Sequence, residues 1–162
     1  MTVELERVGL DYLETAPQRV TVTQLFTTTP ERLFEVFADE QAWPKWVPVI
    51  KQVEWTSELP IREGTTRTVH MAGAMVGYEE FLAWQPGTRM AFRFNQMAKP
   101  GISAFLEDYQ VRDLGNGTIE LSWTMAMTPT GISAKTFPLA KPAIRAGLKY
   151  SLKRLRSYVE SL

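Results

Sequence analysis

Hydrophobic and polar positions alternate in several short runs along the chain. RVTVTQLF (19–26) is the first of these and is rich in β-branched residues, so it predicts a strand. IKQVEWT (50–56) predicts a second, and 65–71, 75–84, 89–95, 104–114 and 118–128 predict five more. Two segments break the alternation. In TTPERLFEVFAD, Thr29 is placed to cap, Pro30 suits the first helical position, and Leu33, Phe34, Val36 and Phe37 form one helical face over roughly 30–38. From Pro142 to Leu162, Ile144, Leu148, Leu152, Leu155 and Val159 make an apolar stripe, which predicts a long amphipathic helix opened by Pro142. Between the first helix and the second strand lies AWPKWVP (42–48), where two prolines hold two tryptophans to a turn or two of helix. Residues 1–18 read as an N-terminal arm ending at Ala16-Pro17, and 19–162 as one domain.

The element order is strand, two short helices, six strands, long helix. Short links between consecutive strands imply antiparallel hairpins, and a single long helix must cover one face of that sheet. The expected class is α+β.

Turns and charges fix the inward face. In DLGNGTIE, pairing Leu114 with Thr118 sets Arg112 opposite Glu120. The other face then pairs Tyr109 with Trp123, Glu107 with Met125, and Phe105 with Met127. In AWQPGTRM, pairing Trp84 with Arg89 sets Glu80 opposite Arg93, with Ala83 facing Met90, Phe81 facing Phe92 and Glu79 facing Phe94. A three-residue turn at Ala72-Gly73-Ala74 pairs Met71 with Met75 and Arg67 with Glu79. A one-residue slip in any hairpin would reverse its faces. Two carboxylates on an apolar face are costly in a dry core, so the pattern favours a concave face lining a cavity.

Composition narrows the function. Eighteen lysines and arginines balance eighteen acids, which argues against a nucleic-acid binder. With no cysteine and one histidine, a zinc site or a thiol nucleophile is not expected, and nothing calls for a metal or cofactor. No apolar run approaches the ~18 residues of a membrane-spanning helix, and the N-terminus lacks a signal-peptide core, so the chain reads as cytoplasmic. His70 falls on the outer face with Thr66 and Thr68.

The run FTTTPERLFEVFADEQAWPKWVPVIKQVEW resembles the opening of the polyketide cyclase/dehydrase-like and START-like proteins, the SRPBCC superfamily. EGTTRTVH, YEEFLAWQPGTRMAFRF and LEDYQVRDLGNGTIELSWTM are similar to its successive hairpins. The resemblance covers 19–162 and implies a helix-grip fold: a seven-stranded curved antiparallel sheet wrapped around the C-terminal helix, with a large hydrophobic cavity between them. Members bind lipids, sterols, polyketides or quinones, and some catalyse ring closure or dehydration. No catalytic residue is common to the superfamily.

The candidate ligand wall is therefore Arg67, Glu79, Phe81, Phe92 and Phe94, continued by Phe105, Tyr109, Trp123 and Met125, with Trp46 from the short helix. Trp43 and Trp46 are equally readable as plain core. Glu107 is either a polar anchor or general acid/base, or a carboxylate paired with an unseen base or lying in water at the end of the sheet. Gly147 either makes room for ligand or eases helix packing. Three functions compete: binding or carriage of a lipid, fatty acid or polyketide; a cyclase or dehydratase using Glu107; and an interaction module with a vestigial cavity. The basic face of the last helix allows at most transient membrane contact. Val76, Tyr78, Leu82 and Trp84 form an apolar strip on the outer face of strand 75–84, to be covered by the arm or by a second subunit in a homodimer.

Overall fold

The computed structural model describes residues 1–162. One antiparallel sheet runs in the order β2 (Gln18–Thr27), β8 (Thr118–Pro129), β7 (Ile102–Gly115), β6 (Arg89–Met97), β5 (Met75–Gln85), β4 (Thr66–Met71), β3 (Ile50–Trp55). A two-residue strand, β1 (Val3–Glu4), adds to β6 off this path. Helices α1 (Tyr12–Thr15), α2 (Pro30–Ala38) and α3 (Trp43–Trp46) are short, and α4 (Gly131–Glu160) is long. Helix α4 packs on β2, β8 and α3 across the inner side of the sheet. No helix is long and apolar enough to cross a membrane.

Local sequence explains α2 and α3. Thr29 accepts from the Arg32 amide at 3.2 Å and Pro30 occupies the first helical position, so the start of α2 is fixed twice. Trp43 donates Nε1–H to the Phe37 carbonyl at 3.0 Å, which ties α3 to the end of α2, and its ring lies tilted 4.8 Å from that of Trp46.

Most of the expected register is present: Arg112 faces Glu120, Tyr109 faces Trp123, Glu107 faces Met125, Glu80 faces Arg93, and Arg67 faces Glu79. Three expectations are corrected. At the β7–β8 turn Gly115, not Leu114, pairs with Thr118, and the register shifts between Asp113 and Gly115. The β5–β6 hairpin closes with Gln85 opposite Arg89, because Gly87 adopts φ +91° and makes a three-residue turn. Trp84 then pairs with Met90 and Ala83 with Ala91, and a bulge at Leu82 restores Phe81 opposite Phe92. The third correction is α4, which begins at Gly131 and contains Pro138 and Pro142. Each proline deprives a carbonyl one turn earlier of its N–H partner, and both lie on the exposed side of the helix, where water can take that role.

The bulge also divides the strip expected on the outer face. Trp84 turns inward against Phe34 at 5.2 Å and Phe81 at 6.0 Å. Leu82 stays outside and joins Val8 and Leu13 of the arm around the small cluster of Tyr12, Ala104, Leu106 and Ala126. Val76 and Tyr78 remain half-buried.

The arm has a structural task. Pairing between β6 and β7 stops at Arg93 and Leu106. Beyond that point the arm bridges the two strands, with the Leu5 amide donating to the Asn95 carbonyl and the Glu6 amide to the Ser103 carbonyl at 2.9 and 2.8 Å. Leu5 is thereby buried in the main core. Leu5→Ala is expected to lower unfolding free energy in urea by about 2–5 kcal/mol, the usual range for a buried leucine. A change below about 0.5 kcal/mol would show that the arm is not part of the cooperative fold.

Candidate functional site

Between the sheet and α4 lies a cavity of about 600 Å³. Strands β4 to β8 supply most of its wall, because the residues expected to face inward do so. Arg67, Glu79, Phe92, Phe94 and Phe105 line it, as do Glu107, Tyr109, Trp123 and Met125. Phe81 and Trp46 do not reach it. Phe81 lies behind Arg67, 5.2 Å from its guanidinium carbon, and Trp46 is core beside Trp43 and Trp123. Trp43 is the α3 tryptophan at the cavity, so AWPKWVP serves both as core and as pocket wall. The helical side adds Ile144, Gly147, Leu148, Tyr150 and Ser151. The i, i+4 stripe pointed to Ile144 and Leu148, whereas Trp43 carried no signal separating it from Trp46.

The exposed members of the lining mark the mouth of the cavity. Val49 and Tyr150 line the cavity yet are 52% and 55% exposed. The Ala72 amide donates to the Val49 carbonyl at 2.8 Å, tying two lips of this opening. Gly147 stands beside Tyr150 on α4, and a Cβ built on it meets nothing within 4 Å. It therefore leaves space and does not serve close packing.

Polar groups are few and fully buried. Arg67 donates Nε–H to Glu79 Oε2 at 2.5 Å. Its guanidinium carbon sits 4.2 Å from the Trp43 ring and 4.7 Å from the Phe92 ring, a cation–π setting that offsets part of its desolvation. Across the sheet, Glu107 Oε2 accepts from Tyr109 Oη at 2.6 Å and Trp123 Nε1 at 2.9 Å. The two donor rings stack at 5.1 Å with 19° between planes. Burial, then the Glu107 charge, raises the Tyr109 phenol well above its ordinary value, so it stays a donor.

The Glu107 carboxyl is pushed up to about 7, by burial first and by the Glu79 charge second, against the bonds from Tyr109 and Trp123 and the Arg67 charge. Burial likewise raises Glu79, opposed by Arg67. His70 lies outside the cavity, with Nε2 3.3 Å from Glu54 Oε2.

A raised carboxyl sets the sign of a pH effect. Between its ordinary value of 4.5 and about 7, folded Glu107 holds a proton that the unfolded chain has released. Its contribution to stability therefore falls as pH rises through that window and is lowest above it. Glu107→Gln lacks this loss and keeps an oxygen to accept from Tyr109 and Trp123. Relative to wild type it is expected to gain stability between pH 5 and pH 8, by at most about 3 kcal/mol. Urea melts at both pH values check this; an offset that does not change with pH would contradict it.

The fold has known counterparts. A START superfamily protein from Mycobacterium smegmatis superposes with a TM-score of 0.72 at 15% identity, covering 88% of this chain and 97% of that one. The Zhui aromatase/cyclase from a Streptomyces species gives 0.73 at 15% identity, covering 88% and 93%. These likenesses establish the helix-grip architecture. In sequence, uncharacterized proteins of Mycobacterium bovis and Mycobacterium tuberculosis are 46% identical over 156 residues, 96% of this chain and 93% of theirs. Residues 17–160 match the family described as polyketide cyclase / dehydrase and lipid transport. The chain belongs to that family.

Proposed function

We propose that the protein binds, and carries, a hydrophobic or amphipathic small molecule in the cavity between sheet and α4. The cavity itself supports this reading most directly: about 600 Å³, walled mainly by apolar side chains, with its charged groups on one sheet face. Each Å² of apolar ligand surface buried there contributes about 25 cal/mol, and the polar groups fix orientation. A cavity of this size, neither filled nor collapsed, weighs against a vestigial role.

Two observations favour narrower readings. Glu107, titrating near neutral pH beside an open volume, suits a general acid/base in a cyclase or dehydratase, with Arg67 polarising a carbonyl. In that case Glu107→Gln abolishes turnover while ligand is retained; undiminished turnover in that variant rules the role out. The second observation is on α4, which carries seven lysines and arginines against one glutamate and exposes Ile132 and Leu139. That face suits brief contact with an anionic membrane during delivery. Flotation with phosphatidylglycerol vesicles, lost at high salt and absent with phosphatidylcholine, is the expected result.

The central reading is tested by native mass spectrometry of gently purified protein, followed by organic extraction of what is bound. A discrete extractable adduct is expected. Gly147→Phe supplies the control, since the added ring projects into open space at the mouth and glycine is a poor helix former. Its melting temperature is expected to equal or exceed that of wild type, while affinity for an apolar fluorescent probe falls about tenfold or more. Unchanged probe affinity in a folded Gly147→Phe protein would move binding away from this cavity.

A further inference from the structure

The polar groups of the cavity are unevenly engaged. Arg67 gives Nε–H to Glu79, while its Nη1 is buried without any partner. Glu107 receives both of its hydrogen bonds on Oε2, and Oε1 bonds to nothing in the protein. An unpartnered guanidinium N–H and an unpartnered carboxyl oxygen are thus left over on the sheet side of a mainly apolar chamber, whose helical side adds Tyr150 and Ser151. Unanswered groups of this kind carry a penalty that a ligand can relieve.

Charge then limits what the ligand can be. One guanidinium already faces two carboxyl groups, and the three are close enough that Glu79 and Arg67 both act on the titration of Glu107. A ligand carboxylate would bring a third anion into a site that holds one cation, with little water to screen it. An ammonium group would have to shed a tightly held hydration shell to enter, and would then sit beside the like charge of Arg67. A ketone can only accept, so it answers Glu107 in its acid form alone. A hydroxyl carries no charge, accepts through oxygen and donates through hydrogen. It answers Oε1 in either protonation state and offers a lone pair to the guanidinium.

We infer that the Glu107–Arg67 end of the cavity is a hydroxyl subsite, which selects apolar ligands bearing an alcohol or phenol over the same ligands bearing a carboxylate. This inference rests on the ligand-binding reading above. It narrows the candidate classes by removing free fatty acids and keeping hydroxylated lipids and phenolic polyketides.

The test uses three probes that differ only in the head group: 4-hexylphenol, 4-hexylbenzoate and hexylbenzene, titrated into the full-length protein at pH 8 with tryptophan fluorescence and calorimetry. The phenol is expected to bind about tenfold tighter than hexylbenzene and tighter still than the benzoate, the range of one or two buried hydrogen bonds. In Glu107→Gln the preference for phenol over benzoate is expected to shrink several-fold, while hexylbenzene affinity holds. Benzoate binding as tightly as phenol overturns the hydroxyl subsite and leaves cavity binding standing. Phenol binding no tighter than hexylbenzene also overturns it. If none of the three binds, the cavity reading falls and this inference with it. The wild-type comparison is decisive by itself should Glu107→Gln fail to fold.

Discussion

The buried pair between Arg67 and Glu79 is the constraint on which the rest of the inner face depends. It joins β4 to β5 at a register where a one-residue slip would turn both charges to the opposite side. A buried ion pair is seldom a large source of stability, since desolvation offsets most of its attraction. Its effect here is on arrangement. The guanidinium is held among Trp43, Trp55, Phe81 and Phe92, so residues from α3 and three other strands gather around one cation. The Glu79 charge then acts across the cavity on Glu107. Sheet register, aromatic wall and cavity electrostatics are set by a single contact.

The sheet was largely legible because two independent signals agreed. Turn chemistry at Gly73 and at Asn116-Gly117 limited the registers, and opposite charges at Arg112 and Glu120, and at Glu80 and Arg93, chose among them. From those pairs the inward positions of Arg67, Glu79 and Glu107 followed by alternation. Alternation cannot reveal a bulge, which is why Trp84 was expected outside and sits inside. The rule that proline opens a helix gave a start at Pro142, since nothing local shows that the exposed side of α4 tolerates two interior prolines. Depth was the other missing quantity. Phe81 and Trp46 have the same inward direction as their neighbours, yet other side chains stand between them and the cavity.

Sheet and helix divide the work of the site. The sheet holds the polar end through hydrogen bonds that cross strands, as between Trp123 on β8 and Glu107 on β7. The helix and the α3–β3 connection hold the mouth, with partly exposed apolar residues and a glycine. Selectivity and access can therefore change independently. The arm contributes to neither directly, but it bridges the seam between β6 and β7 and adds Leu5 to the core there.

The distribution of charge on α4 has a consequence for the whole molecule. Seven cations and one anion on that helix leave the remainder of a neutral chain with six excess negative charges. Charge is thus unevenly divided between α4 and the rest of a chain with no net charge. At low ionic strength a surface of either sign meets a region of opposite charge on this protein, a property that its isoelectric point alone does not describe.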